Sequence, residues 1–183
     1  MSPLSSFNQI QRRRLSSVKE PLFEAAWRLY EASFSIHERR MIDDQKKIMD
    51  HPLYHFELLI SEEGFLGILL WWQFEKLRYV EHYAIMDAQR AKGYGSRILK
   101  DFQSEHVDSI LLEVENPKDE TKKRRIAFYQ CLGFYLNPYP YKQPAYSKAG
   151  NPVPLLLMSW PSPLTHTGLE YFIKECHSII FGK

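Results

Sequence analysis

Residues 79–104 read YVEHYAIMDAQRAKGYGSRILKDFQS, a strand pattern that passes through a glycine-containing turn into a helix pattern. The strand is predicted over Tyr79–Met86 and the helix from Tyr94, because Ile98 and Phe102 continue an apolar spacing of four residues. Two glycines separated by one residue at such a junction let backbone N–H groups converge without obstruction from side chains. Together with the unpaired N–H groups of the first helical turn, they predict a seat for a phosphate group.

The composition and charge are those of an ordinary folded protein. The chain has 183 residues, of which 44% are hydrophobic and 25% charged, so we expect one domain over residues 1–183 with a sizeable core. A formal net charge of +2 is too small to predict a nucleic-acid or membrane partner. The basic run Arg12–Arg14 is interpreted as a solvated segment in preference to an RNA contact. The longest apolar run, Phe65–Trp72, is too short to cross a bilayer.

The cysteines and the first residues indicate the compartment. Cys131 and Cys176 fall on apolar faces of predicted helices without the spacing of metal ligands, which predicts no metal site and no structural disulfide. Met1–Asn8 has neither the basic start nor the apolar core of a signal peptide. We therefore expect a cytoplasmic protein, either a monomer or a homodimer.

The rest of the chain predicts an α/β fold of the mixed α+β kind. Strands are predicted over residues 9–15, 54–61, 65–74, 79–86, 109–114, 134–136 and 153–160, and residues 137–154 are predicted to form a loop. Helices are predicted over residues 21–33, 43–50, 121–132 and 165–181, in addition to the one that follows the glycine turn. Ser16–Ser17 is predicted to cap the first helix, and Asp43 or Asp44 the second. This order predicts a mostly antiparallel sheet of about seven strands with helices on both faces.

Two motifs in this order resemble one family. The turn Arg90–Gly95, RAKGYG, is similar to a pyrophosphate-binding turn, and Ile126–Phe134, IAFYQCLGF, is similar to a second signature found one strand further on. Both are typical of the GNAT superfamily of N-acetyltransferases, which use acetyl-CoA. The resemblance covers about residues 9–136 and implies a central sheet that is splayed, with the cofactor in the gap. It names a chemistry and leaves the metabolite open, because the superfamily is diverse.

The resemblance implies the residues of a coenzyme A site. The backbone of the strand end would contact pantetheine, and the turn would hold the pyrophosphate; the residues implied are Ile85, Met86, Asp87, Arg90, Ala91, Lys92, Gly93, Tyr94, Gly95 and Ser96. Asn116 is expected to replace an asparagine of the family signature, where this chain has Lys122. The turn lacks the lysine of a P-loop and the third glycine of a dinucleotide-binding turn, which agrees with coenzyme A. A tight helix entry without a ligand is the alternative.

Transfer of an acetyl group to an amine requires a base for the amine and an acid for the leaving thiolate. By the resemblance, Tyr129 is the acid; the alternative is that the pair Phe128–Tyr129 only packs the helix on the sheet. For the base we predict Glu81, whose pKa we expect to be raised by its aromatic neighbours. On a regular strand His82, the competitor, would lie on the opposite face. The alternatives are that Glu81 pairs with a basic side chain, that His82 is a satisfied core histidine, and that a water chain is the base.

The acceptor side follows from the resemblance alone. In the family, the loop between the first two helices and the late loop line the acceptor pocket, which implies His37, Glu38, Arg39, Tyr141 and Tyr146. Aromatic walls with one acid suit an amine, and an arginine suits an amine that carries a carboxylate. The alternative is that the charges of Glu38, Arg39 and Arg40 form a solvated face.

We therefore predict an acetyl-CoA-dependent N-acetyltransferase that moves the acetyl group directly to a primary amine of a small molecule. Acetylation of a protein or peptide is one alternative, and a non-catalytic domain that senses coenzyme A is another.

Overall fold

The computed structural model describes residues 9–106, 108–147 and 150–182. The Met1–Asn8 segment, which we expect not to be a signal peptide, lies outside these ranges. The strands are β1 Gln11–Leu15, β2 Tyr54–Ser61, β3 Gly64–Gln73, β4 Leu77–Ile85, β5 Ser109–Glu115, β6 Tyr135–Gln143 and β7 Val153–Trp160. The helices are α1 Phe23–Ser33, α2 Ile42–Ile48, α3 Tyr94–Ser104, α4 Glu120–Cys131, α5 His166–Tyr171 and α6 His177–Phe181. A 3-10 turn at Asp87–Gln89 precedes α3, and a π-helical turn at Phe172–Cys176 joins α5 to α6.

The seven strands form one sheet in the order β1-β2-β3-β4-β5-β7-β6. Every neighbouring pair is antiparallel except β4 and β5, which are parallel. Those two strands pair only from Leu77 to Val80 on β4 and from Ser109 to Leu112 on β5, and then separate. The prediction of a mostly antiparallel, splayed sheet of about seven strands is confirmed.

Helices cover both faces of the sheet, and each face has its own core. On one face α1 and the C-terminal helical segment pack on side chains such as Trp72 and Tyr79. On the other face α3 and α4 pack on Trp71 and Val80. Because side chains alternate along a strand, the neighbours Trp71 and Trp72 serve opposite cores.

A β-bulge interrupts this alternation in β4. Leu70 pairs with His82 and Trp71 with Val80, so Glu81 has no partner in the register. An extra residue of this kind moves the side chains beyond it to the other face. Glu81 and His82 consequently lie on one face, and both approach Tyr146: its hydroxyl is 2.9 Å from Glu81 Oε1, and its ring centroid is 6.0 Å from that of His82. The prediction that they lie on opposite faces is wrong.

The predicted loop over residues 137–154 is wrong in its first half. β6 extends to Gln143, because pairing with β7 resumes at Tyr141 after a shift in register that begins at Asn137. Two prolines, Pro138 and Pro140, fall in this shift. They are tolerated because β6 is an edge strand, where a missing N–H donor breaks no ladder.

The predicted helix caps are also wrong. The residue before α1 is Leu22, with a φ of 71°, and Ser17 Oγ instead accepts a hydrogen bond from the Lys19 N–H in a turn. α2 begins after Met41 without a side-chain cap. Its aspartates pair with lysines three residues later, Asp43 with Lys46 and Asp44 with Lys47.

The two cysteines lie in different environments and are both free. Cys176 is buried as predicted, whereas Cys131 is exposed, so its placement on an apolar helix face is wrong. No helix formed by the described residues is both long and apolar enough to span a bilayer.

Candidate active site

A pocket of about 610 Å³ lies between the end of β4, the turn before α3 and the inner face of α4. It is lined by six of the residues that the sequence assigned to the cofactor, namely Ile85, Arg90, Ala91, Gly93, Gly95 and Ser96. Tyr129, the predicted acid, lines the same pocket. The structure thus brings the two sequence motifs together on one cavity.

The turn before α3 and the uncapped start of this helix line the pocket. Ala91 and Gly93 have φ values of 61° and 82°, in the left-handed region, and no side chain caps α3. The N–H groups of a first helical turn have no partners inside the helix and carry the positive end of its dipole. The turn is fixed by Arg90, whose Nε donates to the Ile85 carbonyl oxygen at 3.1 Å and whose Nη1 lies 2.9 Å from Asp87 Oδ1. Such a cradle fits a diphosphate.

Two tyrosines stand beside the cradle. Burial raises the pKa of Tyr129 to about 12, so its hydroxyl is protonated at neutral pH. Tyr83 from β4 donates a hydrogen bond to the Gly95 carbonyl oxygen at 2.8 Å. The Tyr129 ring also packs on Phe128 and Phe134, with centroids 5.2 and 5.6 Å away, so it has a packing role as well as a place in the pocket.

Comparison with known proteins identifies the fold. No family model and no curated protein matches the chain. Among solved structures, a protein from Bacteroides thetaiotaomicron assigned to the GNAT family of acetyltransferases is 29% identical with a TM-score of 0.87, and the match covers 94% of this chain and 99% of that one. The chain has the fold of the GNAT superfamily. Acetyltransferase is the enzyme class that this neighbour supports.

More distant GNAT structures share the fold alone. The spermidine N-acetyltransferase from Vibrio cholerae, solved with CoA and spermine, is 11% identical with a TM-score of 0.60, and the match covers 82% of this chain and 94% of that one. The ribosomal-protein alanine N-acetyltransferase from Escherichia coli is 16% identical with a TM-score of 0.56, with 86% and 96% covered. GNAT members named for a polyamine and for a protein acceptor are therefore both structural neighbours.

A second, smaller cavity of about 50 Å³ lies where β4 and β5 separate. Its walls carry four carboxylates and one imidazole, those of Glu38, Glu81, Glu113, Glu115 and His82. Arg125 lines both this cavity and the larger pocket, so the two adjoin across the gap in the sheet.

Glu81, the predicted base, is enclosed in an ion pair. Its side chain is 0% exposed, and Oε2 lies 2.6 Å from Nη1 of Arg40, which is itself 4% exposed. Trp72 Nε1 donates to the same oxygen at 3.3 Å. Burial opposes ionisation, but the Arg40 guanidinium holds the pKa of Glu81 below its usual value. The expectation of a raised pKa is wrong, and the alternative of a pairing with a basic side chain is confirmed.

His82 makes a hydrogen bond through one of its two ring nitrogens. Nε2 lies 2.7 Å from the Glu38 carbonyl oxygen, and since a carbonyl can only accept, Nε2 carries the proton. Burial lowers the pKa of His82, so the ring is neutral and Nδ1 is an acceptor. Nδ1 has no hydrogen-bond partner among the residues that the structure describes. The alternative, a core histidine whose hydrogen bonds are all made, therefore holds for Nε2 but not for Nδ1.

Glu113 is the residue that sequence reasoning missed. It lies on β5 directly after Leu112, the last residue paired with β4. Tyr141 donates to its Oε1 and Gln143 Nε2 donates to its Oε2, and Glu113 makes no ion pair within the described part of the chain. Burial raises the pKa of Glu113 to about 7. The available signal was a glutamate flanked by Leu112 and Val114 in the apolar strand SILLEVE, next in the sheet to the strand that carries Glu81.

The predicted acceptor residues are divided between two cavities. His37, Arg39 and Tyr146 line a cavity of about 280 Å³ beside the loop between α1 and α2. Glu38 faces the smaller cavity at the strand gap. Tyr141 donates a hydrogen bond to Glu113 and lines neither cavity, so its predicted contact with the acceptor is not supported.

Several predicted cofactor contacts also fall outside the larger pocket. Asn116 Nδ2 donates to the Pro154 carbonyl oxygen at 3.2 Å, and Lys92 Nζ bonds to Gln89. The backbone N–H of Met86 donates to Leu66, and its carbonyl oxygen accepts from Gln89. None of these three residues lines the pocket, and neither do Asp87 and Tyr94. The structure therefore favours Ile85 and the turn over these residues as contacts.

Among the described residues, no group of three or more His, Cys, Asp or Glu side chains is placed to hold a metal ion.

Proposed function

We propose that this GNAT protein is an acetyl-CoA-dependent enzyme that transfers the acetyl group directly to a primary amine of a small molecule. The observation that carries the proposal is the adjacency of two sites. The N–H cradle at the start of α3 lies on a pocket that shares Arg125 with the carboxylate-lined gap between β4 and β5. One site suits a diphosphate, and the other suits an amine that must lose a proton.

The residues of the larger pocket bind and orient the co-substrate. Acetyl-CoA supplies a thioester when bound. Its diphosphate would be held by the N–H groups of the turn Arg90–Ser96, where Gly93 permits the left-handed backbone and Gly95 leaves the entrance to α3 open. A Cβ added at Gly95 would lie 3.5 Å from the Tyr83 hydroxyl and 3.7 Å from Phe128, so larger side chains would fill the pocket.

Glu113 is the base in this proposal. An amine arrives as an ammonium, and only a group with a pKa near neutrality both takes its proton and is ionised at the start. Glu113 satisfies this condition with a pKa of about 7, whereas Arg40 keeps Glu81 ionised and weakly basic. The ammonium proton passes to Glu113, and the freed nitrogen lone pair forms the bond to the acetyl carbon as the carbon–sulfur bond breaks.

Tyr129 stabilises the leaving sulfur by donating a hydrogen bond. A thiol ionises near pH 8.5, roughly three pH units below the pKa of about 12 of Tyr129, so complete proton transfer from the phenol is unfavourable. The hydrogen bond nevertheless lowers the energy of the developing thiolate. The nitrogen loses a second proton as the amide forms, and the thiolate gains one proton to become a thiol, so the reaction balances.

A small acceptor is favoured by the cavity that His37, Arg39 and Tyr146 line. Its volume of about 280 Å³ lies just below the range typical of small-ligand sites. The Tyr146 hydroxyl is anchored on Glu81 at 2.9 Å, which holds the late loop against the cavity. The Vibrio cholerae neighbour, named for spermidine, supports a small amine, and the Escherichia coli neighbour, named for a ribosomal protein, is the reason to retain a protein acceptor as the second candidate.

The test is a panel of polyamines, other small amines, amino acids and peptides, assayed for the release of free thiol from acetyl-CoA. Binding of CoA is measured in parallel by calorimetry. Turnover with a small amine supports the proposal, and turnover with peptides alone selects the second candidate. Binding of CoA without turnover across the panel indicates a sensor domain, and the absence of both would contradict the proposal.

A further inference from the structure

A line of hydrogen bonds connects Glu113 to the C-terminal helical segment. The Tyr141 hydroxyl donates to Glu113 Oε1, and the same hydroxyl oxygen lies 3.0 Å from Nε2 of His177. A hydroxyl has one proton, so while Tyr141 gives it to the carboxylate, His177 Nε2 must be the donor to the Tyr141 oxygen. Burial lowers the pKa of His177 to about 4, which keeps the ring neutral and leaves it a single N–H to give.

The π turn is what aims His177 at the sheet. The His177 N–H bonds to the Phe172 carbonyl oxygen, five residues back, and the two rings meet edge to face at 4.8 Å. In a regular α-helix Cys176 would lie above Phe172, and Ile173 would share the buried face. Here Cys176 is buried and His177 is half-buried, whereas Ile173 is 42% exposed. π turns cost helix hydrogen bonding and are frequent at functional sites.

We propose that His177 is a positioning residue for acetyl transfer, which fixes the Glu113 carboxylate through Tyr141 at the gap between β4 and β5. The inference rests on the proposed function, because it assigns a task to Glu113. With His177 in place, the Tyr141 oxygen receives a hydrogen bond and its proton is directed at the carboxylate. Without that N–H, Tyr141 still donates to Glu113, but its hydroxyl is held less firmly, so Glu113 is less well oriented and its ionised form is less favoured.

The surroundings of Glu113 would not compensate for a lost donor. The titratable and polar groups that face it are Glu38, Tyr79, Glu81, His82, Glu115, Arg125, Tyr141 and Gln143. Of these only Arg125 is a permanent cation, and its Nη1 already pairs with Glu115 at 2.9 Å. His177 itself faces Tyr141, Phe172 and Phe181. A weaker hydrogen bond from Tyr141 should therefore raise the pKa of Glu113.

The experiment compares variants at His177 on α6 with a matched control at His166 on α5, which also packs on a tyrosine of β6. His177→Phe keeps an aromatic ring against Phe172 but removes the donor, and His177→Gln keeps an N–H. The control is His166→Phe: His166 packs edge to face on Tyr139 at 5.0 Å, and the Tyr139 hydroxyl donates to the Leu164 carbonyl oxygen at 2.9 Å, with no carboxylate involved.

The readouts are kcat/KM as a function of pH and the titration of the Glu113 carboxyl carbon by ¹³C NMR, which needs no acceptor. We expect His177→Phe and Tyr141→Phe to move the acid limb of the profile to higher pH and to lower kcat/KM at pH 7 by about 5- to 10-fold, the size of one hydrogen bond. His177→Gln should restore most of the loss, and His166→Phe should change neither readout.

The outcomes separate this inference from the proposed function. An unshifted profile in His177→Phe, or equal shifts in His177→Phe and His177→Gln, overturns the positioning role while acetyl transfer stands. No turnover by the unaltered chain overturns the proposed function, and the NMR titration still decides whether His177 acts on Glu113. Thermal unfolding is measured for each variant. If His177→Phe fails to fold, the comparison of Tyr141→Phe with the unaltered chain by NMR decides: an unshifted Glu113 titration overturns the role.

Discussion

Two buried glutamates on neighbouring strands line the same gap and behave in opposite ways. Glu81 on β4 faces the Arg40 guanidinium and is held ionised, whereas Glu113 on β5 is bonded to a hydroxyl and an amide and has a pKa of about 7. Both lie in the same low-dielectric surroundings, so the difference comes from the partner and not from burial. A buried carboxylate that lacks a cation is the one that remains free to exchange a proton.

Arg40, the cation beside Glu81, also holds several elements of the fold together. Arg40 Nη2 donates to the Ile180 carbonyl oxygen at 2.9 Å, and the guanidinium lies 4.6 Å from the centre of the Tyr146 ring. One side chain therefore ties the loop after α1 to β4, to the late loop and to the C-terminal helix. Glu113 has no such partner, and its bonds to Tyr141 and Gln143 leave both protonation states accessible.

The largest expected effect is on activity. Glu113→Gln removes the base and should lower kcat/KM by about 10²- to 10⁴-fold with the best amine of the panel. The matched control is Glu57→Gln, because Glu57 is also a mostly buried carboxylate with a raised pKa but pairs with Arg12, 3.0 Å away on β1. A loss of activity in Glu57→Gln as large as that in Glu113→Gln would contradict the assignment.

The next effect is on stability. Glu81→Gln leaves the Arg40 guanidinium buried without its counter-charge and should lower the free energy of unfolding by about 3–5 kcal/mol. Replacing both, with Arg40→Met and Glu81→Gln, should recover most of this loss. Glu24→Gln, which breaks an exposed pair with Arg28, should cost less than about 1 kcal/mol. Urea unfolding measures all three, and a small loss in Glu81→Gln would show that the ion pair is not structural.

The two carboxylates should also give opposite pH dependences of stability. The pKa of Glu113 rises from 4.5 to about 7 on folding, so its contribution is present below pH 4.5 and is lost as the pH rises through 7, by roughly 3 kcal/mol. The pKa of Glu81 falls on folding, so its contribution is present above its unfolded pKa and is lost in acid.

Unfolding free energies measured between pH 4 and 8 on the unaltered chain and Glu113→Gln test this difference. Between pH 4 and pH 8, the free energy of unfolding should fall less in Glu113→Gln than in the unaltered chain. If the free energy of unfolding has the same slope against pH in both proteins between pH 4.5 and 7, the titration belongs to a group other than Glu113.

The smallest expected effect is on CoA affinity, and it distinguishes the turn before α3 from the acid–base residues at the gap. Gly93 and Gly64 both have a positive φ, 82° and 113°, and a Cβ added at either meets no atom within 4 Å. Gly93→Ala and Gly64→Ala should therefore each cost about 1 kcal/mol of stability. Only Gly93→Ala should weaken CoA binding, which calorimetry measures, and neither should move the Glu113 titration. Equal loss of CoA affinity in both would remove the turn from the cofactor site.

The turn before α3 could be predicted from the sequence because its shape is local. The turn Arg90–Ser96 owes its shape to its own backbone, to two glycines and to the start of α3. Ile85 and Tyr129 lie on the elements that immediately flank it in the fold. Patterns of neighbouring residues are sufficient to recognise such a site.

The acid–base side depends on contacts that no local pattern contains. Arg40 and Glu81 are 41 residues apart, and Tyr141 and Glu113 are 28 apart. The bulge at Glu81 arises from pairing with β3 and places His82 on an unexpected face. The π turn that aims His177, and the extension of β6 through Pro138 and Pro140, likewise follow from packing against distant strands. Strand and helix periodicity predicted these elements but not their irregularities.

The most direct test is a ¹³C NMR titration of the glutamate carboxyl carbons in the unaltered chain and in Glu113→Gln, followed from pH 3 to 9 without any acceptor. We expect one resonance with a midpoint at about pH 7 that is absent from Glu113→Gln, while Glu81 shows no midpoint above its ordinary range. A spectrum in which Glu113 titrates in the ordinary range of an exposed glutamate, or in which the neutral midpoint persists in Glu113→Gln, would contradict the assignment of the base.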